Sequence, residues 1–326
     1  MFKKLAAVFA IGLCVATGSA VAADYPNQAV RVIVPFSPGG NIDVTSRLLS
    51  TRLAAELGQP FVVDNRAGAG GSIGALAVAR AGTNGHTVLS GSNGMLAVNP
   101  AVNPTLAYDP IRSFVPVAFI SRVPLALTVS SALPVQDLAS LKAHAKATGH
   151  PVNIGSSGAG GAQHLAIVEF GEKSGVPYTH VPYKGGSAIL PDLMAGTLDV
   201  ALNELPNVMA AHRDGRVRII ALASERRSPL LPNVPTLAES GLPGFFAYSS
   251  NGWLMPAGTP DSMVRTINTA LVRALADPAI RSQMEAMGLV IATPEEASPA
   301  AYGRRMAQEL EDARRTAHRH GIRVTQ

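Results

Sequence analysis

The stretch Ala29-Val30-Arg31-Val32-Ile33-Val34-Pro35-Phe36-Ser37-Pro38-Gly39-Gly40-Asn41-Ile42-Asp43 decides the fold. Its first six residues are short, β-branched and closed by Pro35, the pattern of a buried parallel strand rather than a half-exposed one. Pro38-Gly39-Gly40 makes a loop. Asp43 or Asn41 is then placed to cap a helix whose apolar positions Val44, Leu48, Leu49 and Leu53 recur at helical spacing until Gly58. This strand, loop and helix repeats: Phe61-Val62-Val63 is a second strand, Gly68-Ala69-Gly70-Gly71 opens a helix over 73–81, and His86 to Leu89 is a third strand ending at Ser90-Gly91-Ser92-Asn93-Gly94. Repeated units of this kind imply a parallel sheet covered by helices.

Farther along, the same grammar returns. Val152-Asn153-Ile154-Gly155 is a strand feeding Ser156-Ser157-Gly158-Ala159-Gly160-Gly161, and a helix runs over 163–173. Strands over 178–181 and 198–202 flank a helix over 188–195. Between the two sets lies Phe114 to Ser130, apolar but broken by Pro116 and Pro124, which suits a long connecting strand better than a helix. Val217 to Ala223 is placed to carry the chain back; Phe245 to Met255 is extended, and helices over 261–276 and 294–317 finish the chain. The expected architecture is α/β, with two lobes of parallel-rich sheets flanked by helices and a hinge of two crossing segments. Residues 24–122 and 224–326 form the first, interrupted lobe, and residues 123–223 the second. The cleft between lobes is the expected place for a small molecule.

Composition narrows the function. The chain has 326 residues, 47% hydrophobic and 15% charged, so it folds rather than remaining disordered. Its single cysteine excludes an intramolecular disulfide framework or a thiolate-rich metal site. Lys3 and Lys4, the apolar run Leu5 to Val15 and the small residues Gly18 to Ala23 read as an export signal over residues 1–23, cleaved before Ala23 or Asp24. The run is too short to span a bilayer. Cys14 is a poor lipidation site, since Leu13 stands where a small residue is expected. Loss of the leader removes two lysines and lowers the formal charge from +5 to about +3. The expected product is a periplasmic protein without cysteine.

The glycine-rich turns carry the chemistry. Glycine lets backbone approach a ligand, and the first N–H groups of a helix lack intrahelical partners, so each turn can hold an anion. In the first turn Ser37 and Asn41 can add side-chain bonds. Asp43, itself an anion, is read as fixing the loop, and Gly39 and Gly40 serve turn geometry as readily as ligand approach. The second turn offers Ser156, Ser157, Gly158, Ala159, Gly160 and Gly161 before a helix containing His164. Facing one another, the turns would bind a small acid through neutral donors. Ser90, Ser92, Asn93, the segment from Tyr183 to Ser187, Asn203 and Glu204 are rim or floor candidates, with an ordinary cap or Asx turn the alternative for a lone serine or asparagine.

Other chemistries lack their signatures. Ile73 occupies the last glycine position of a dinucleotide motif in Gly68-Ala69-Gly70-Gly71-Ser72-Ile73. There is no Walker loop, no nucleophile elbow at Ser92 or Ser157, and no His-Glu-x-x-His helix. A remote triad using Ser157 and His164 is the one hydrolase alternative, without specific support. Arg314, Arg315, Arg319 and Arg323 mix with Glu309, Glu311 and Asp312 as a solvated face rather than a nucleic-acid surface. Neither catalysis, a metal nor a cofactor is expected.

Six ordered motifs carry a resemblance: Tyr25-Pro26; Val34 to Gly40 with Asp43; Asn65-Arg66 through Gly74; Gly155 to Gly160 with His164; His180-Val181-Pro182-Tyr183-Lys184-Gly185; and Leu231 to Thr236 with Glu239-Ser240-Gly241. The mature chain resembles the Bug, or TctC-type, extracytoplasmic solute receptors of tripartite tricarboxylate transporters. That resemblance implies a periplasmic binding protein of type II, a monomer closing on a small organic carboxylate and delivering it to membrane transporter subunits. A sensor protein is the alternative partner. It implies ligand contacts from the loops Ser37 to Asp43, with Gly39, Gly40, Asn41 and Ile42, and Ser156 to Ala162; Phe36, His164, Tyr183, Lys184 and Gly185 are further ligand-binding candidates. Asn41-Ile42 stands where many members carry a small polar pair, so Ile42 is expected to favour an apolar or aromatic acid.

Overall fold

The computed structural model describes residues 25–323, so the export leader, its cleavage site and Cys14 lie outside the described residues. The chain begins with β1 (Val30–Val34), α1 (Asn41–Leu57), β2 (Phe61–Asn65), α2 (Ser72–Ala79), β3 (Thr87–Ser92) and α3 (Asn99–Val102). β1 lies between β2 and β3 and is parallel to both. Every β1 residue but Arg31 is buried, because helices cover both faces of such a sheet. Gly40, not Asn41 or Asp43, caps α1, and no side chain contributes to that cap. The third strand continues through Ser90-Gly91-Ser92, all buried, because these residues pair with the returning chain instead of forming a loop.

β4 (Phe114–Ser130) is the long strand the sequence predicts. It leads into α4 (Leu138–Thr148), β5 (Val152–Ser156), α5 (Ala162–Ser174), β6 (Tyr178–Pro182), α6 (Leu190–Ala195), β7 (Val200–Glu204), α7 (Leu205–Arg213) and β8 (Val217–Leu222). β5 is parallel to β6 and β7, whereas β7 and β8 run antiparallel to the last third of β4. The chain closes with β9 (Tyr248–Pro256), α8 (Asp261–Ala276), α9 (Pro278–Ala286), β10 (Val290–Ile291) and α10 (Pro299–Arg319).

The strand order is β2-β1-β3-β9-β4-β7-β5-β6, with β8 and β10 also paired to β4. The expected parallel-rich sheets are therefore mixed: parallel outer strands meet antiparallel crossing strands at the junction. A return through residues 217–223 is corrected too. β8 stays with the second lobe, and residues after it fold back so that Leu237, Leu242 and Phe245 join that lobe's core. The return occurs at Ala247 and Tyr248, where Leu125 donates to the Ala247 carbonyl and β9 then pairs with β4 and β3.

Two apolar cores flank this crossing. One gathers Ile33, Leu49, Leu89, Phe119, Trp253, Leu271 and Tyr302, and the other Leu127, Leu141, Ile154, Phe170, Leu202 and Phe245. The C-terminal ends of β1 and β5 consequently point their turns into the space between the lobes.

Candidate functional site

The turn after β1 is held from behind by a buried carboxylate. Asp43 accepts from the Gly39 N–H and from Asn65 Nδ2, each at 2.9 Å, and pairs with Arg47 at 2.9 Å. Burial alone would raise its pKa, but the bonds from Arg47, Gly39 and Asn65 together hold it below the usual aspartate value. Gly39 bends at φ +78°, in the left-handed region. Gly40 to Asp43 then present the first turn of α1.

Opposite it, Ser157 to Gly161 lead into α5. Gln163 Oε1 accepts from the Ser157 N–H at 2.6 Å, and His164 Nδ1 accepts from the Gly160 N–H at 3.1 Å. Ser156 Oγ lies 2.6 Å from His180 Nε2, and the His180 ring stacks on His164 with centroids 4.1 Å apart. Burial lowers the pKa of both imidazoles, that of His180 to about 4 with His164 adding to the shift. Two neutral rings therefore brace this turn.

The turns meet across the cleft. Ser37 Oγ donates to the Lys184 carbonyl, Ser187 Oγ donates to the Pro38 carbonyl, and the Asn41 N–H donates to Asn207 Oδ1 at 2.9 Å. Backbones approach so closely that a Cβ added at Gly94 would lie 3.0 Å from Ala162 N, and one at Gly70 2.9 Å from the Ala159 carbonyl. Three small cavities remain, all bordered by Phe36 and Ser157. The largest, about 170 Å³, lies between Gly68–Gly71 and the second turn, with Gly158, Ala159, Tyr183 and Lys184 on its wall. Another is lined by Ser37, Gly40, Asn41, Ile42, Asp43 and Asn207, and the third by Ser92, Gly94, Gly161, Ala162, Gln163 and Ser249; Glu204 borders both.

Other residues singled out from the sequence lie behind these walls. Ser90 is fully buried and bonds Ser46 and Asn251. Asn93 bonds Tyr248 and Ser250 on β9, and Gly185 packs against Ser37. Asn203 donates to the Gly186 carbonyl and accepts from Asn207 and the Glu204 N–H. Ser156, Gly160 and His164 are used within their own turn. Sequence reasoning missed Gln163, Asn207, Gly94 and Ser249. Gln163 follows a glycine-rich turn and Asn207 lies in the first turn of the helix that follows Asn203 and Glu204, which are usable signals; Ser249 has none.

Neither cavity at Glu204 has a lysine or arginine on its wall. Each instead meets the N-terminal turn of a helix, α1 or α5, whose first N–H groups lack intrahelical partners and whose end carries partial positive charge. Among the described residues, no group of three or more His, Cys, Asp or Glu side chains is arranged to hold a metal ion. The geometry suits a small anion gripped by neutral donors from both lobes.

Residues 45–314 match the Tripartite tricarboxylate transporter family receptor model. The chain belongs to that family. The receptor is 36% identical over 293 residues to Protein BugT of Bordetella pertussis, covering 88% of this chain and 90% of that protein. MatC from Rhodopseudomonas palustris, solved with malate, superposes with a TM-score of 0.85 at 32% identity, covering 90% of this chain and 99% of that one. An R. palustris protein solved with adipate gives 0.87 at 34% identity, with coverage of 92% and 99%. The receptor is a two-lobed periplasmic solute-binding protein.

Proposed function

We propose that the receptor captures a small organic carboxylate between its lobes and delivers it to the membrane subunits of a tripartite transporter, working as a monomer. The observation that carries this reading is the convergence of two helix N-termini on the two cavities bordering Glu204, whose hydrogen-bond donors are neutral, with no lysine or arginine on either wall. An anion placed there gains backbone N–H bonds and two favourable helix ends. The acids bound by the two similar R. palustris proteins support the same class.

Ser37, Asn41 and the N–H groups of Ile42 and Asp43 act from one side; Ser157 and the N–H groups of Ala162 and Gln163 act from the other. Phe36 and Ile42 shape the remainder of the ligand. Bridging both turns, the acid favours the closed population, which is the form read by the membrane subunits. Closure pivots on the β4 and β9 crossings.

The test is a thermal-shift screen of purified protein against dicarboxylates, hydroxy acids, aromatic acids and nicotinate. A true ligand raises the melting temperature selectively by mass action. An unchanged profile across every class refutes the carboxylate reading, and a pull-down of transporter subunits with the liganded receptor tests delivery.

A further inference from the structure

We infer that Glu204 makes the receptor select an acid carrying an ammonium group, so that the ligand is an aminated carboxylate. This rests on the carboxylate reading above and specifies the ligand's second charge. Glu204 ends β7 and opens α7, and its side chain caps none of that helix's backbone N–H groups. It is 7% exposed and borders the two cavities beneath the first turns of α1 and α5. Asn207 Nδ2 donates to its Oε2 at 3.0 Å and the Ser249 hydroxyl lies beside it; both partners are neutral.

The contrast with Asp43 is decisive. Asp43 is the other ionisable residue on these two walls, and Arg47 already matches its charge. No side-chain cation on either wall does this for Glu204; Lys184 borders the largest cavity, which Glu204 does not line, and is exposed. A buried carboxylate without a cation carries a large desolvation cost, and burial accordingly raises the Glu204 pKa. An ammonium beside Glu204 would remove that cost while the ligand carboxylate meets the helix N-termini. The walls thus alternate positive helix end, negative carboxyl and positive helix end, complementary to a zwitterionic ligand.

Titration calorimetry with matched acids tests this: succinate against aspartate, glutarate against glutamate, and 3-phenylpropionate against phenylalanine. The aminated member of the favoured pair is expected to bind about 30-fold tighter or more. Glu204→Gln should weaken that member by a similar factor. Plain acids binding as tightly as aminated ones overturn the inference and leave the carboxylate reading standing. Failure of both members of every pair overturns the two together. The wild-type comparison needs no variant, so a misfolded Glu204→Gln protein does not remove the test.

Discussion

Substituting Gly94→Ala places a methyl wedge between the lobes. The added carbon would sit 3.0 Å from Ala162 N and 3.4 Å from Gly161 Cα, both backbone atoms at the start of α5. Backbone cannot rotate away as a side chain does, so restoring ordinary contact near 3.5 Å requires the lobes to part by about 0.5 Å there. Overpacking of this size costs about 1–3 kcal/mol. The cost falls on the closed form alone, since parting the lobes relieves it. A penalty of 1–3 kcal/mol lowers the closed population, and hence the affinity, by about 5- to 150-fold. Gly94 has ordinary negative φ in a helical turn, so alanine leaves the ligand-free melting temperature unchanged or slightly higher. Calorimetry with the tightest-binding acid measures the affinity, and small-angle scattering measures the radius of gyration with and without it. Unchanged affinity together with full compaction would refute the claim that this backbone contact forms in the bound state.

Other expectations concern ionisable groups and the turn supports. Asp43→Asn should lower stability by about 1–2 kcal/mol at neutral pH through loss of charge-assisted bonds. Since the native Asp43 pKa is depressed, its contribution is present above the unfolded value near 4 and fades as pH falls through the native value; the wild-type advantage in thermal melts should disappear in acid. Burial pushes Glu309 up to about 7, against the pull of Arg305. A raised carboxyl stabilises fully below its unfolded pKa near 4.5 and loses that contribution as pH rises through 7. Glu309→Gln should therefore melt like wild type at pH 4 and be more stable at pH 8 by about 1–3 kcal/mol. Gly186→Ala would drive a carbon into Asn207 Nδ2 and Asn203 Oδ1. Displacing the Asn207 amide from Glu204 should lower stability in thermal melts by about 1–3 kcal/mol, through loss of one charge-assisted bond.

Elements announced by local signals were legible in the sequence. The proline-broken apolar run became β4 with the expected bounds, and the helix over 261–276 was likewise placed correctly. The two turns were legible because glycine and helix onset leave marks within a few residues. α7 was missed because Pro206 reads as a breaker, although the first turn of a helix tolerates proline. The return crossing was misplaced because strand choice there depends on pairing between β9 and residues far upstream, which no local pattern encodes. At the site, Asn203 and Glu204 were noticed as floor residues. The absence of a cation at Glu204 emerges only when four separate segments come together.

The interrupted first core also sets the order in which the polypeptide can mature. Everything in the second core lies between Leu125 and Phe245 and can assemble once that interval is available. Val32, Leu49 and Val88 must wait for Trp253, Leu271 and Tyr302, while Ala97 and Val98 wait for Leu310 and Ala313 on α10. The earliest segment to emerge is thus among the last to be sheltered, and a truncation before α10 would strand its apolar residues despite sparing both glycine-rich turns.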